Sequence, residues 1–82
     1  MRLDKYLKVS RLMKRRTVAN EACDAGRILV NSKPARASYE VKQGDVLKIS
    51  LGARSVRVRV LDVDEYATKA GASSLYEILS DE

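Results

Sequence analysis

Residues 16–32, Arg16-Thr17-Val18-Ala19-Asn20-Glu21-Ala22-Cys23-Asp24-Ala25-Gly26-Arg27-Ile28-Leu29-Val30-Asn31-Ser32, change hydrophobic period part-way along. Up to Ala25 the apolar positions follow helical spacing: Val18, Ala19, Ala22 and Cys23 share one face, while Asn20, Glu21 and Asp24 turn to water. Gly26 ends this helix, at the position where a left-handed residue satisfies the last carbonyls at least cost. Arg27-Ile28-Leu29-Val30 then reads as a short strand turned by Asn31-Ser32. A helix, a glycine stop, a strand and a turn within seventeen residues predict a mixed fold in which helices pack on a sheet.

Upstream, Leu3, Tyr6 and Leu7 give the inner face of a first helix over about residues 3–9. Downstream, Pro34 marks an edge or irregular segment, and Gly44-Asp45 marks a turn. Leu47, Ile49 and Leu51 alternate along one strand and Val56, Val58 and Val60 along another, joined by a hairpin connection at 52–55. Small polar residues over 68–74 predict a loop. Ser74 then caps a short last helix carrying Leu75, Tyr76, Ile78 and Leu79, which packs on the domain or docks a partner. The fold class expected is α+β: two N-terminal helices on a small, mostly antiparallel sheet, with a short C-terminal helix. Residues 1–66 form the domain and 67–82 an acidic C-terminal extension.

Eighty-two residues limit the chain to one small core, built on aliphatics and four tyrosines because it has no Phe and no Trp. It also has no His and a single cysteine, Cys23. No Cys–His or Ser–His pairing, Gly-rich phosphate loop or carboxylate pair stands out, so no enzyme, cofactor or metal is expected. Cys23 reads as a small buried hydrophobe. No apolar run approaches a membrane span and no signal peptide is evident, which points to the cytoplasm.

Charge supplies the functional lead. Arg2, Lys5, Lys8, Arg11, Lys14, Arg15 and Arg16 are opposed only by Asp4, so residues 1–16 carry +6. Residues 17–61 carry +4 and residues 62–82 carry −5. A cationic face on a small domain fits a polyanion, first of all nucleic acid, and the acidic end would repel it. Lys14, Arg15 and Arg16 sit where a helix begins, a place where cations oppose the helix dipole and an external anion would relieve the conflict. Arg16 is the leading phosphate contact, followed by Arg2, Arg11 and Arg15, while Lys5, Lys8 and Lys14 give diffuse attraction. Tyr6 reads as core. Tyr39 is open to packing or base stacking, and Arg57 and Arg59 to a solubilising sheet surface or RNA contact.

Four short strings stand in a recognisable order: Arg2-Leu3-Asp4-Lys5-Tyr6-Leu7, Arg16-Thr17-Val18-Ala19, Gly26-Arg27-Ile28-Leu29-Val30-Asn31 and Val41-Lys42-Gln43-Gly44-Asp45. Together they resemble the S4-type (alpha-L) RNA-binding domain over roughly residues 1–50. Val9-Ser10-Arg11-Leu12, Lys14-Arg15-Arg16-Thr17 and Ala37-Ser38-Tyr39-Glu40-Val41-Lys42 are similar to the small stand-alone S4 factors of bacterial ribosome-associated quality control. Heat-shock S4 factors, which recycle large subunits carrying peptidyl-tRNA, are the second choice. The resemblance implies binding to rRNA and to P-site peptidyl-tRNA on an obstructed large ribosomal subunit. It further implies support for untemplated alanine tailing by a tail-elongating quality-control partner. A monomer is expected when the chain is free. An alternative of another class is a protein-docking module whose basic face is only a solvated surface. Two departures stand out: Arg15 replaces the hydroxyl residue that often caps the second helix, and Asn31-Ser32 replaces the frequent Asn-Gly turn.

Overall fold

Helix α1 spans Leu3–Val9, and its Leu3, Tyr6 and Leu7 are fully buried, as their spacing predicts. The structure, a computed structural model, describes residues 1–64 and 74–81. The start of α1 is closed by a loop from far along the chain. The Leu3 N–H donates to the Tyr39 carbonyl at 2.8 Å and the Asp4 N–H to the Ala37 carbonyl at 3.2 Å. These bonds satisfy amides that a helix start leaves without partners.

Helix α2 spans Arg16–Asp24 and buries Ala19, Ala22 and Cys23. Two side chains depart from the expected faces. Val18 is 49% exposed, and Asn20, expected in water, is half-buried against α1. The inward arc of this nine-residue helix is narrow and centred on Ala19 and Cys23, which leaves Val18 outside and draws Asn20 to its edge. Gly26, at φ 76°, terminates α2 as expected. The Gly26 and Arg27 N–H groups donate to the carbonyls of Cys23 and Ala22, both at 3.0 Å.

Five antiparallel strands follow: β1 (Ile28–Val30), β2 (Lys33–Pro34), β3 (Val46–Leu51), β4 (Arg54–Val60) and β5 (Tyr76–Asp81), in the spatial order β2-β1-β3-β4-β5. Asn31 and Ser32 both adopt positive φ, 52° and 72°, as a tight hairpin turn requires. Asn31 tolerates this conformation well, and its Oδ1 accepts the Val46 N–H at 3.1 Å; Ser32 bears the steric cost. Leu47, Ile49, Val58 and Val60 point inward and join Ile28 and Val30 against the helices in one core cluster. The connection between β3 and β4 is shorter than expected, because β4 already begins at Arg54.

The short C-terminal helix expected over Leu75–Leu79 does not form; Tyr76–Asp81 is the strand β5. Its partner is the outer edge of the seven-residue β4, with Val60 opposite Tyr76 and Val58 opposite Ile78. An edge of that length would otherwise present unpaired backbone groups, and nonlocal pairing of this kind overrides a weak local helix signal. Leu75 packs into the core, and its carbonyl accepts the Tyr6 hydroxyl at 2.6 Å and the Leu61 N–H at 2.8 Å. Ile78 and Leu79 stay exposed, so this segment packs through Leu75 rather than through the whole apolar group. The loop expected over 68–74 lies, but for Ser74, outside the described residues. No described helix is long and apolar enough to cross a membrane.

Candidate nucleic-acid interface

Asp4, only 2% exposed, is the centre of the basic N-terminal region. Being adjacent to Leu3 places it on the inward edge of α1, where a lone carboxylate must be bonded or neutralised. Five bonds reach it. The Lys5 N–H donates to Oδ1 at 2.8 Å and Asn20 Nδ2 to Oδ2 at 3.2 Å. Arg2 Nε lies 3.2 Å from Oδ1 and Arg2 Nη2 3.4 Å from Oδ2. Arg16 Nε lies 3.3 Å from Oδ2. Burial works to raise the Asp4 pKa, but the bonds from Asn20, Arg16, the Lys5 amide and Arg2 outweigh it and hold the carboxyl below its ordinary value.

Arg2 and Arg16, fourteen positions apart in the chain, are therefore brought to one carboxylate. Their side chains remain about half exposed, at 49% and 48%. Each guanidinium has five donors, so bonding to Asp4 leaves others for a ligand while fixing the plane of the fork. Arg16 is thus a braced cation rather than a free one. The sequence held a signal for this arrangement: Asp4 is the only acid among the first sixteen residues and stands beside Leu3, Tyr6 and Leu7. In the charge pattern Asp4 shows only as an offset to the basic run, not as the acceptor that organises it.

The other cations surround this braced pair. Lys8 is exposed in the last turn of α1, where it suits the helix dipole. Lys5 is half-buried on α1. Arg11 follows the helix at φ 63°, a left-handed conformation usually given to glycine, and its N–H closes the helix on the Lys8 carbonyl at 3.1 Å. Lys14 is exposed in the link between the helices, and Arg15 is the exposed N-cap of α2.

The two helix starts differ. Loop carbonyls close α1, whereas Arg15 offers α2 no side-chain cap. The first turn of α2 holds no acidic residue either. Its amides and Arg15 and Arg16 are together suited to an anion. A groove of about 340 Å³ runs beside Asp4, Arg16, Thr17, Asn20 and Glu21.

The aromatic and thiol candidates belong to the scaffold. Tyr6 is fully buried, and burial raises its pKa. The Tyr39 hydroxyl donates to Asp45 Oδ2 at 2.9 Å, a bond that raises the Tyr39 pKa and ties its ring end to the fold. Cys23 is buried, which pushes its thiol up to about 11, far from a reactive thiolate. Arg59 pairs across strands with Glu77 at 2.9 Å, while Arg57 is exposed on the same face.

Comparison with known proteins bears on the N-terminal half first. The S4 domain family matches residues 1–47. A protein named RQC P-site tRNA stabilizing factor from Halalkalibacterium halodurans is 52% identical over 82 residues, all of this chain and 93% of that one. Its namesake from Bacillus subtilis is 49% identical over 82 residues, again all of this chain and 95% of the relative. The heat shock protein 15 homolog of Aeromonas salmonicida is 32% identical over 78 residues, 94% of this chain and 59% of that one. Among solved structures, the trimeric heat shock protein 15 of Vibrio cholerae superposes with a TM-score of 0.89 at 23% identity, covering 98% of this chain and 82% of that one. That likeness shows the fold.

Proposed function

The chain belongs to the S4 domain family, in the group of the RQC P-site tRNA stabilizing factors, and on that premise we propose that it is an RNA-binding accessory factor of ribosome-associated quality control. It acts by binding, on the large ribosomal subunit, where its basic N-terminal face meets rRNA and the P-site peptidyl-tRNA. Holding that tRNA supports untemplated alanine tailing of the stalled chain by the tail-elongating partner. It works as a monomer in the cytoplasm, in association with the ribosome.

The observation that carries this reading is the start of α2, where Arg16 is braced by buried Asp4 beside the uncapped Arg15. Aiming a guanidinium in advance lowers the ordering cost of gripping a phosphate. Arg2 shares the same brace, while Arg11, Lys14, Lys5 and Lys8 extend the field around it.

The test is binding of the full chain to tRNA and to large ribosomal subunits across a salt series. With about six phosphate contacts, affinity falls roughly a thousandfold or more between 50 and 200 mM salt. Arg16→Ala lowers affinity by about ten- to a hundredfold, the scale of one charge-assisted hydrogen bond. The fold persists in that variant, because Arg2, Asn20 and the Lys5 amide still bond Asp4. Salt-independent binding, or unfolding of Arg16→Ala in step with its loss of affinity, would refute the assignment.

A further inference from the structure

The sheet has a second face, turned away from the helices, and its charge is not that of an ordinary solvated surface. Leu47, Ile49 and Val58 point into the core, so by alternation Lys48 and Arg57 point outward. These two cations are direct cross-strand partners. Their Cβ atoms are therefore about 4.5–5.5 Å apart, and like charges so placed destabilise a sheet. One position along, the same face solves the same problem the other way, since Arg59 stands opposite Glu77 and bonds to it at 2.9 Å. Among the described residues no carboxylate pairs with Lys48 or Arg57.

On its other side Lys48 stands opposite Leu29 of β1, which brings no countercharge. On the far side of Arg57 the β4–β5 register shifts between Arg57 and Val58. Bulges of this kind re-aim side chains and gather at functional edges. Lys48 and Arg57 thus make a cationic pair across β3 and β4, with the core between it and the Asp4–Arg16 site.

We propose that this open sheet face is a second RNA-backbone surface, so that one molecule bridges two RNA segments lying on opposite sides of it. The inference rests on the reading that the chain binds RNA through its N-terminal face. A phosphate backbone laid across the strands meets both cations and relieves the Lys48–Arg57 repulsion, which a protein surface of mixed charge would do less well.

The experiment uses the full chain with two tRNA populations, one tethered to beads and one fluorescent. Wild-type protein carries fluorescent tRNA to the beads. The Lys48→Thr/Arg57→Thr double variant still binds tethered tRNA but captures about tenfold less of the fluorescent tRNA, having lost two phosphate contacts. Thermal unfolding of that variant is unchanged or shifted upward, because a like-charge pair has been removed. Wild-type protein that binds no tRNA at all would remove the underlying RNA reading. Binding without bridging, or bridging that survives the double substitution, overturns the second surface and leaves that reading standing. Sedimentation without RNA closes the remaining route: a protein dimer there would assign bridging to two copies and overturn the proposal. A double variant that unfolds earlier than wild type would overturn it too, by giving the pair a structural role.

Discussion

Two buried aspartates organise this molecule, and they do so with different partners. Asp4 is bonded by two half-exposed guanidiniums, an amide side chain and one backbone N–H. Among the described residues Asp45 is bonded only by neutral groups: the Tyr39 hydroxyl at 2.9 Å, Asn31 Nδ2 at 3.2 Å and the Lys42 N–H at 3.0 Å. Asp45 ties the 31–32 turn, the loop at 39–42 and the start of β3 into one unit, and none of the groups bonded to its carboxylate is charged. Asp4 ties α1 to α2, and its partners reach solvent as cations. A carboxylate among neutral donors holds loops. A carboxylate among arginines holds loops and also aims the charges that hold it.

That contrast is broken most strongly at Asp45. Asp45→Ala leaves three donors without their acceptor and is expected to cost about 2–3 kcal/mol of stability, read by denaturant unfolding. The salt slope of RNA binding by the folded fraction stays that of wild type. Asp4→Asn comes next, at about 1–2 kcal/mol, since the shape is kept and the arginines can turn to water. Its effect on binding has a sign that separates two ideas. Deleting a negative charge from a basic protein should strengthen RNA binding if only net charge matters. With Asp4 as a brace, Asp4→Asn weakens it, because Arg2 and Arg16 lose their fixed direction. Tighter tRNA binding by Asp4→Asn would end the brace argument. Acid tests the same group. The Asp4 pKa is lowered in the fold from an ordinary 3.8, so its stabilisation is complete above that value and is lost as pH falls through the lower folded value. Asp4→Asn should therefore lose less stability than wild type in acid below that point.

Much of this architecture is legible in the sequence because it is local. Leu3, Tyr6 and Leu7 fix the face of α1, Gly26 ends α2, and alternation of Val56, Val58 and Val60 gives β4. What the sequence conceals is nonlocal. Tyr76–Asp81 has the composition of a short helix and becomes a strand because β4 supplies a partner edge sixteen or more residues away. The candidate site divides in the same way. Its cations are visible as a list, but the Arg16–Asp4–Arg2 arrangement depends on α1 and α2 packing together. Helical spacing alone turns Asn20 to water, because its partner, Asp4, is sixteen residues upstream.

The smallest effects test whether a strained cation is there for binding or by accident of the turn. Arg11 and Ser32 both hold positive φ, at 63° and 72°. Both follow an element that must stop, and neither has the freedom of glycine. Substituting glycine removes a left-handed steric cost and adds chain entropy to the unfolded state, for a net gain of about 0.5–1 kcal/mol at either position. Ser32→Gly should show that gain in thermal unfolding with tRNA affinity unchanged, because the turn carries no charge. Arg11→Gly should show a similar gain in stability together with weaker tRNA binding and a salt slope shallower by about 0.7–0.9, the signature of one lost phosphate contact. Opposite signs for stability and affinity at Arg11 alone would mean that the strain there is kept for its side chain. Equal behaviour of the two variants would make Arg11 a turn residue that happens to be basic, and would confine the binding site to the braced pair and the start of α2.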